Sequence, residues 1–441
     1  MPPQSPASLE AAFSSRRFVS PIAGIIKHVH EFLAAPDDAR MFFFGCELSE
    51  TTDILGHQVP RRTGGAHYLR GRALAAALGE ALERYCGTHV PASQLVFASA
   101  AELGPRAVNP LDFALFHPRQ YTQAGFPYRP FTPEMRVQWF PGVSLTDGAP
   151  VYLPAQLVFL VGGRRQEEPA IGYATSSGMA CGPTRDEAVL RALLEVVERD
   201  AFMLTWYGML TLPLVDPESD PVLLAEERRH FAPARLHYQV VDLSVFLRVP
   251  TALAVIRGRW PDAVALAVGA ASAPAMREAC SKALREAFQT RYWIRQMRQL
   301  RRQRFAEDFS DILRFEDHVL LYSYEENACR GDFLIASAAR RSLQEVPKLE
   351  GTTAAELISA VVARLEEHGV RAYAADLTSP EVRRAGLHVA RVICPHLCPL
   401  DVGYQRRFLG GSRLYEAAWR LGLRERPLTF EELNPFPHPF P

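Results

Sequence analysis

The stretch SSGMACGPTRDEAVLRALLEVVERDAFMLTW, Ser176 to Trp206, decides how the rest of the chain is read. Within it, Ala188, Ala192, Leu193, Glu195, Glu198 and Arg199 form a pattern that has two further copies. One lies upstream at Ala73, Ala77, Leu78, Glu80, Glu83 and Arg84, the other downstream at Ala279, Ala283, Leu284, Glu286 and Gln289. Each copy reads A-x-x-x-A-L-x-E-x-x-(E or Q). Alanines four apart share one face of a helix, and acids three apart lie one turn from each other. A small alanine face lets a helix approach its neighbour closely, which would bury the acidic turn. One such segment alone would be ordinary helix-forming sequence with a solvated charged face. Three copies, 115 residues apart (80 to 195) and then 91 apart (195 to 286), are too distant and uneven for a solenoid and point to one shared site.

Glu80, Glu83, Glu195, Glu198 and Glu286 brought together would repel one another unless cations intervene. Hard divalent ions with oxygen ligands resolve that conflict, and Mg2+ usually brings phosphate with it. Gln289 adds a neutral donor and acceptor, while Arg84 and Arg199 are suited to covering phosphate oxygens. The residues therefore predict a magnesium–nucleotide site. Neither a Walker-type G-x-x-x-x-G-K-[ST] nor a G-x-G-x-x-G occurs, so the site is not built on a P-loop or a dinucleotide fingerprint.

Repeated ExxER helices followed by an E-x-x-Q helix resemble the YcaO proteins, and the ending NPFPHPFP (434–441) resembles the azoline-forming cyclodehydratases among them. The segments RFVSPIAGII (17–26), GVSLTDGAPVYLPAQLVF (142–159), FEDHVLLY (315–322) and RVICPHLCPLD (391–401) strengthen the likeness, which covers about residues 16–441. The resemblance implies an α/β fold: an internally duplicated core with a mixed sheet, whose acidic helices form an ATP site. It implies ATP and Mg2+ as cofactors, with Glu80, Glu83, Glu195, Glu198 and Glu286 as metal ligands. Arg84, Ser177, Arg199 and Gln289 join these five in holding the nucleotide.

The implied activity is cyclodehydration of Cys, Ser or Thr in a ribosomal precursor peptide to thiazoline or oxazoline. Two alternatives stand beside it: thioamide or amidine formation with an external nucleophile, and a peptide-binding scaffold without ATP turnover. The scaffold is motivated by Ala66, Ala76 and Ser177, where relatives often carry other polar or glycine residues. Four alternating prolines would hold the tail as an extended polyproline strut. In the family such a tail is thought to reach the active site, making the Pro441 carboxylate a candidate general base. With the family-like region starting near residue 16, a separate leader-binding E1-like partner is expected, with a flavin-dependent dehydrogenase acting later and a homodimer as the assembly. The expected division is a lead-in segment 1–65, a catalytic domain 66–433 and the tail 434–441.

The bounds agree with this reading. The chain has 441 residues, 49 basic and 49 acidic, so no broad attraction to nucleic acid or an anionic membrane is indicated. Seven scattered cysteines suit a reducing compartment, and neither a secretory signal nor an apolar run near 18 residues is present, so a soluble cytoplasmic protein is expected. Only three of the basic residues are lysines, a bias read as compositional.

Along the chain, apolar spacing predicts a helix over 21–35 and a strand over 41–48. Residues 51–65 read as polar and turn-rich, and 88–135 as irregular with short strands. Asp147-Gly148 predicts a hairpin between strands 138–144 and 151–161. Ser176 to Gly182 reads as a small-residue turn whose N–H groups suit phosphate. Strands are predicted over 236–242, 251–257 and 263–271. The third acidic helix continues into an Arg-rich stretch, 292–305, read as a solvated face or a docking surface for an acidic leader. A helix over 353–368 and a strand over 370–377 follow. Cys394 and Cys398 read as a structural turn because no second ligand pair completes a zinc site. Cys181 reads as a packing residue and His318 as a structural polar group.

Overall fold

The three acidic repeats form the three longest helices among the described residues: α1 (Arg70–Thr88), α2 (Arg185–Tyr207) and α3 (Met276–Leu300). The computed structural model describes residues 17–52, 61–161, 164–258, 264–300 and 303–441. The turn-rich residues 53–60 and residues 301–302 of the Arg-rich stretch lie outside this set.

Fourteen strands of the described residues form three sheets. The first has β1 (Ile26–Phe32), β2 (Phe42–Leu48) and β3 (Arg62–His67) in antiparallel order. The second has the order β11-β10-β9-β8-β12. It uses β8 (Leu214–Asp216), β9 (His237–Asp242), β10 (Thr251–Arg257), β11 (Leu266–Ser272) and β12 (Arg340–Ser342). The third has the order β4-β5-β13-β14-β7, with β6 added on β5. Its strands are β4 (Val96–Ala98), β5 (Val137–Ser144), β6 (Pro150–Pro154), β7 (Met179–Gly182), β13 (Tyr373–Asp376) and β14 (His388–Ile393). The architecture is mixed α/β with several sheets; the parallel pair is β8 with β12, while the other strand pairs are antiparallel.

Each acidic helix bridges two sheets. Helix α1 packs on β2 and β3 and reaches β7; α2 packs on β7 and β14 and reaches β11; α3 packs on β10 and β11 and reaches β3. The contacts close a ring, helix to sheet to helix. The alanine stripes make this approach possible. Ala73, Ala77, Ala188, Ala192, Ala279 and Ala283 are all 0% exposed. Strand glycines meet them. A Cβ on Gly65 would stand 2.4 Å from Ala77 N, one on Gly182 2.6 Å from Ala188 N, and one on Gly269 2.2 Å from Ala287 N. Real side chains do not come that close, so helix backbone rests directly on strand backbone.

Most of the expected elements occur with shifted ends. Gly148 sits at φ +73° in the hairpin turn, where Asp147 accepts from the Ala149 amide at 3.0 Å. Strand β6 ends at Pro154, and residues 155–158 turn into a short helix. The helix expected over 21–35 is instead strand β1. Strand β2, paired with β3 on one side, bonds β1 on the other, and Ile26 and Val29 are β-branched, which favours pairing over helix when the backbone can bond across. Strand β3 departs from the turn-rich reading, because Thr63 is the one strand-favouring side chain in RTGGAH; it is held by pairing with β2 and by the close approach of α1.

Two described arginines of the Arg-rich stretch, Arg295 and Arg298, are bound within the chain, as is Arg291 just before it, while Arg304 is exposed. Arg291, 2% exposed, donates to Asp38 at 2.9 Å, and Arg295 donates to the same carboxylate at 2.7 Å. Arg298 donates to Ser323 and covers the Tyr324 ring. Cys394 and Cys398 are buried on a turn, and the Cys398 amide donates to Asp200 Oδ1 at 3.0 Å. Asp200 is fully buried on α2 and takes both arms of Arg413 on α4 (Ser412–Arg420) at 2.9–3.0 Å. A bidentate pair of this kind fixes the C-terminal region against the central helix.

Two glycine substitutions test the close approach. Gly269→Ala should destabilise by about 1–3 kcal/mol, because its methyl would collide with helix backbone that cannot yield. Gly79→Ala should stabilise by about 0.5–1 kcal/mol, since a Cβ there meets nothing nearer than Cys181 at 3.9 Å and helix propensity improves. Urea unfolding of both proteins checks the opposite signs.

Candidate active site

The ring of helices brings the five repeat carboxylates into one electrostatic neighbourhood. Glu83 feels Glu195 and Glu80, Glu198 feels Glu286 and Glu195, and Glu286 feels Glu195 and Glu80. Three are oriented by strand amides. Gly64 N–H on β3 donates to Glu80 Oε2 at 3.0 Å, Cys181 N–H on β7 to Glu83 Oε1 at 2.8 Å, and Ala270 N–H on β11 to Glu286 Oε2 at 3.2 Å. The first and third of these contacts span the same interval, 16 residues from amide to acid. Sequence pattern found the acids but not these amides; the equal interval was the signal available.

The guanidiniums sit on the same helices. Arg84 donates to Glu80 at 3.2 Å, and Arg199 donates to Glu195 at 3.1 Å with Glu198 a further 3.1 Å ion-pair partner. Gln289 also faces this site: its Nε2 would lie 3.5 Å from a Cβ on Gly64. Ser177 is half-buried in the turn before β7, where its amide donates to Thr175 Oγ1 at 3.3 Å. Gly178 follows at φ +78° with no room for a side chain, since a Cβ would meet Val392 O at 2.4 Å. Ser177, Arg199, Arg391, Tyr173, Cys398 and Phe408 line an adjoining recess. Arg391 was missed by sequence reasoning. It is buried, donates to the Thr175 and Leu157 carbonyls, and is pulled down to about 10 by that burial.

Burial pushes Glu83 up to about 8, with Glu195 and Glu80 adding and the Cys181 amide opposing. Burial likewise raises Glu286 to about 7 and holds Glu198 well above the ordinary range, although Arg199 opposes both. Burial disfavours the charge on Arg199, yet Glu198, Glu195 and Glu286 together hold it charged. Glu198 Oε1 and Arg199 Nε are buried without a hydrogen-bond partner in the protein. Carboxylates that retain protons at neutral pH, with buried polar atoms left unbonded, fit a site completed by cations and phosphate. Cys181 is buried, and burial keeps its thiol protonated; what it offers the site is its amide.

His67 and Ala66 lie at the end of β3. His67 Nδ1 accepts from the Leu69 amide at 2.9 Å, which organises the start of α1. The tail runs into the molecule rather than away from it. Phe440 is 0% exposed, its ring centroid lies 4.2 Å from the Arg199 guanidinium carbon, and it packs against Phe202. Pro441 is the next residue and is half-buried.

Residues 65–398 match the family model of the YcaO cyclodehydratases, described as ATP- and Mg2+-binding. Among solved structures, a heterocyclase in complex with substrate and cofactor superposes with a TM-score of 0.82 at 24% identity over 98% of this chain. The heterocyclase TruD gives 0.66 at 26% identity over 85%. A YcaO protein from Methanopyrus kandleri, bound with AMPPCP and Mg2+, gives 0.62 at 18% identity over 90% of this chain and 92% of its own. The chain spans 57% and 51% of the two heterocyclases. No described helix is long and apolar enough to cross a membrane. With three quarters of its residues inside the family match, this chain belongs to the YcaO cyclodehydratase family.

Proposed function

We propose that the chain is an ATP-dependent cyclodehydratase that converts Cys, Ser or Thr of a ribosomal precursor peptide to thiazoline or oxazoline. The observation that carries this reading is the ring of helices that gathers five carboxylates and two guanidiniums into one electrostatic neighbourhood, with Arg199 also lining the adjoining recess and the tail packed on it. Glu80, Glu83, Glu195, Glu198 and Glu286 would hold Mg2+, and Arg84, Arg199, Ser177 and Gln289 would hold the nucleotide. Bound Mg-ATP supplies a phosphoryl group that turns an amide oxygen, a poor leaving group, into a good one.

The chain's own residues supply orientation and proton transfer. The strand amides fix three carboxylates before any ligand arrives, so little reorganisation accompanies charge transfer. Arg199, pinned between Glu195 and Glu198 and covered by Phe440, is held rigid beside the recess. The Pro441 carboxylate is the proposed base that takes the proton from the attacking side chain. In this reading residues 66–433 form the catalytic domain and 434–441 its tail. A separate E1-like protein presents the leader, a flavin-dependent dehydrogenase acts on the azoline, and the enzyme works as a cytoplasmic homodimer. The free buried cysteines suit such a compartment.

Mass spectrometry of a candidate precursor incubated with the protein, its partner and Mg-ATP tests the activity. Each ring should remove ~18 Da, and Glu198→Gln should slow the loss about 10²–10³-fold. Deleting Pro439–Pro441 should abolish it. A gain of ~16 Da would mean sulfur replacing oxygen and a thioamide product, and an unmodified peptide that still binds would mean a scaffold.

The raised carboxylates give a second test. A carboxyl held above its ordinary 4.5 in the fold binds its proton better there than in the unfolded chain. That stabilisation is fully present below 4.5 and is lost as pH rises through about 7 to 8, where Glu286 and Glu83 ionise. Without Mg2+ the melting temperature should therefore fall between about pH 6 and about pH 8.5, and Mg2+ should restore it most strongly at the upper end. Thermal melts with and without Mg2+ across that range read the sign.

A further inference from the structure

The tail is gripped carbonyl by carbonyl. Alternating prolines remove every second amide donor from 434–441 while leaving every carbonyl in place, so the buried strut is rich in acceptors and poor in donors. Buried acceptors need partners. The Pro435 carbonyl accepts from Tyr404 Oη, Phe436 from Trp206 Nε1 at 3.0 Å, and Pro437 from Tyr322 Oη at 2.5 Å. His318 Nδ1 meets the His438 carbonyl at 2.9 Å. Four successive carbonyls thus meet four side chains from three separate parts of the chain. Asn434 anchors the base, its Nδ2 donating to Trp206 O at 3.1 Å.

The far end is clasped as firmly. His438 is 1% exposed, stacks on His318 with centroids 4.1 Å apart, and places Nε2 2.9 Å from the Asp401 carbonyl. Its Nδ1 accepts from the Phe440 amide at 3.2 Å, which turns the chain so that the Phe440 ring lands on Arg199. His318 Nε2 lies 2.6 Å from the Val402 carbonyl. His318, Asp401 and His438 lie close enough to suggest a metal centre. Every ring nitrogen, however, already faces a carbonyl or an amide, so the cluster works as a clasp on the backbone.

We infer that Tyr404, Trp206, Tyr322 and His318 are positioning residues that set the tail's end against Arg199, and so fix where the terminal carboxylate acts. The inference rests on the cyclodehydratase reading for its catalytic consequence, while the grip itself stands on the hydrogen bonds alone. The grip makes the tail a built-in wall of the active site instead of a lid.

The test uses the full chain with Tyr322→Phe/Tyr404→Phe, which removes two hydroxyl donors without changing volume, and His318→Gln as an independent variant. Hydrogen exchange of the peptide 434–441 should speed up by ~10-fold or more in each. Ring formation should slow ~10- to 100-fold in kcat at an unchanged KM for the peptide, as misplacement of a catalytic group does. Exchange that stays at the wild-type rate overturns the grip. Faster exchange with unchanged kcat overturns the positioning role. A wild-type protein that forms no ring instead sinks the cyclodehydratase reading, and exchange then decides the grip alone.

Discussion

Mutual repulsion among buried carboxylates is the constraint on which this structure depends. Five acids gathered in one place repel one another, burial and neighbouring carboxylates raise the proton affinity of Glu83, Glu198 and Glu286, and the groups around them limit that cost. Backbone amides of three strands donate hydrogen bonds to three of the carboxylates, Arg84 and Arg199 balance charge, and burial favours the protonated form of Glu83 and Glu286. The arrangement is possible only because alanine faces lie on glycine-bearing strands, which lets helix backbone approach sheet backbone. A single larger residue on either side would push an acid away from its amide. Geometry at the core and chemistry at the site are therefore one problem.

Some of this was legible in the sequence because it is periodic. Alanines at i and i+4 followed by acids at i+3 leave a trace that survives in three copies, and the proline alternation of the tail is equally regular. What completes the site has no such trace. The amides of Gly64, Cys181 and Ala270 carry no side-chain signature, and Arg391 looks like any other arginine in an arginine-rich chain. Trp206, Tyr322 and Tyr404 reach the tail from positions 31 to 230 residues away, distances that only the fold brings together. The strand over Ile26–Phe32 was misread for a related reason: apolar spacing records which residues seek burial, while the edge of Phe42–Leu48 decides how the backbone bonds.

The preference for arginine also has a structural side. Arg291, Arg391 and Arg413 are buried or nearly so, and each meets more than one acceptor through a planar fork. Lysine would offer a single hydrated point charge in those places. Arg291 joins the segment between the first two strands to the third acidic helix, while Arg413 joins the C-terminal helix to the second. The outer parts of the chain are fastened to the same helices that carry the acids.

The equal interval from amide to acid in the first and third repeats bears on how such a chain can change in length. The connection between β2 and β3 runs from 49 to 61 and that between β10 and β11 from 258 to 265, so the two differ in length. The interval from strand amide to helix acid is the same in both repeats, and adding one residue within it would rotate the acid by about 100° around the helix axis and carry it off its amide. Insertions and deletions should therefore accumulate at the tips of the hairpins and be purged between strand and helix. The spacing works as a ruler that the lineage cannot recut without giving up the site.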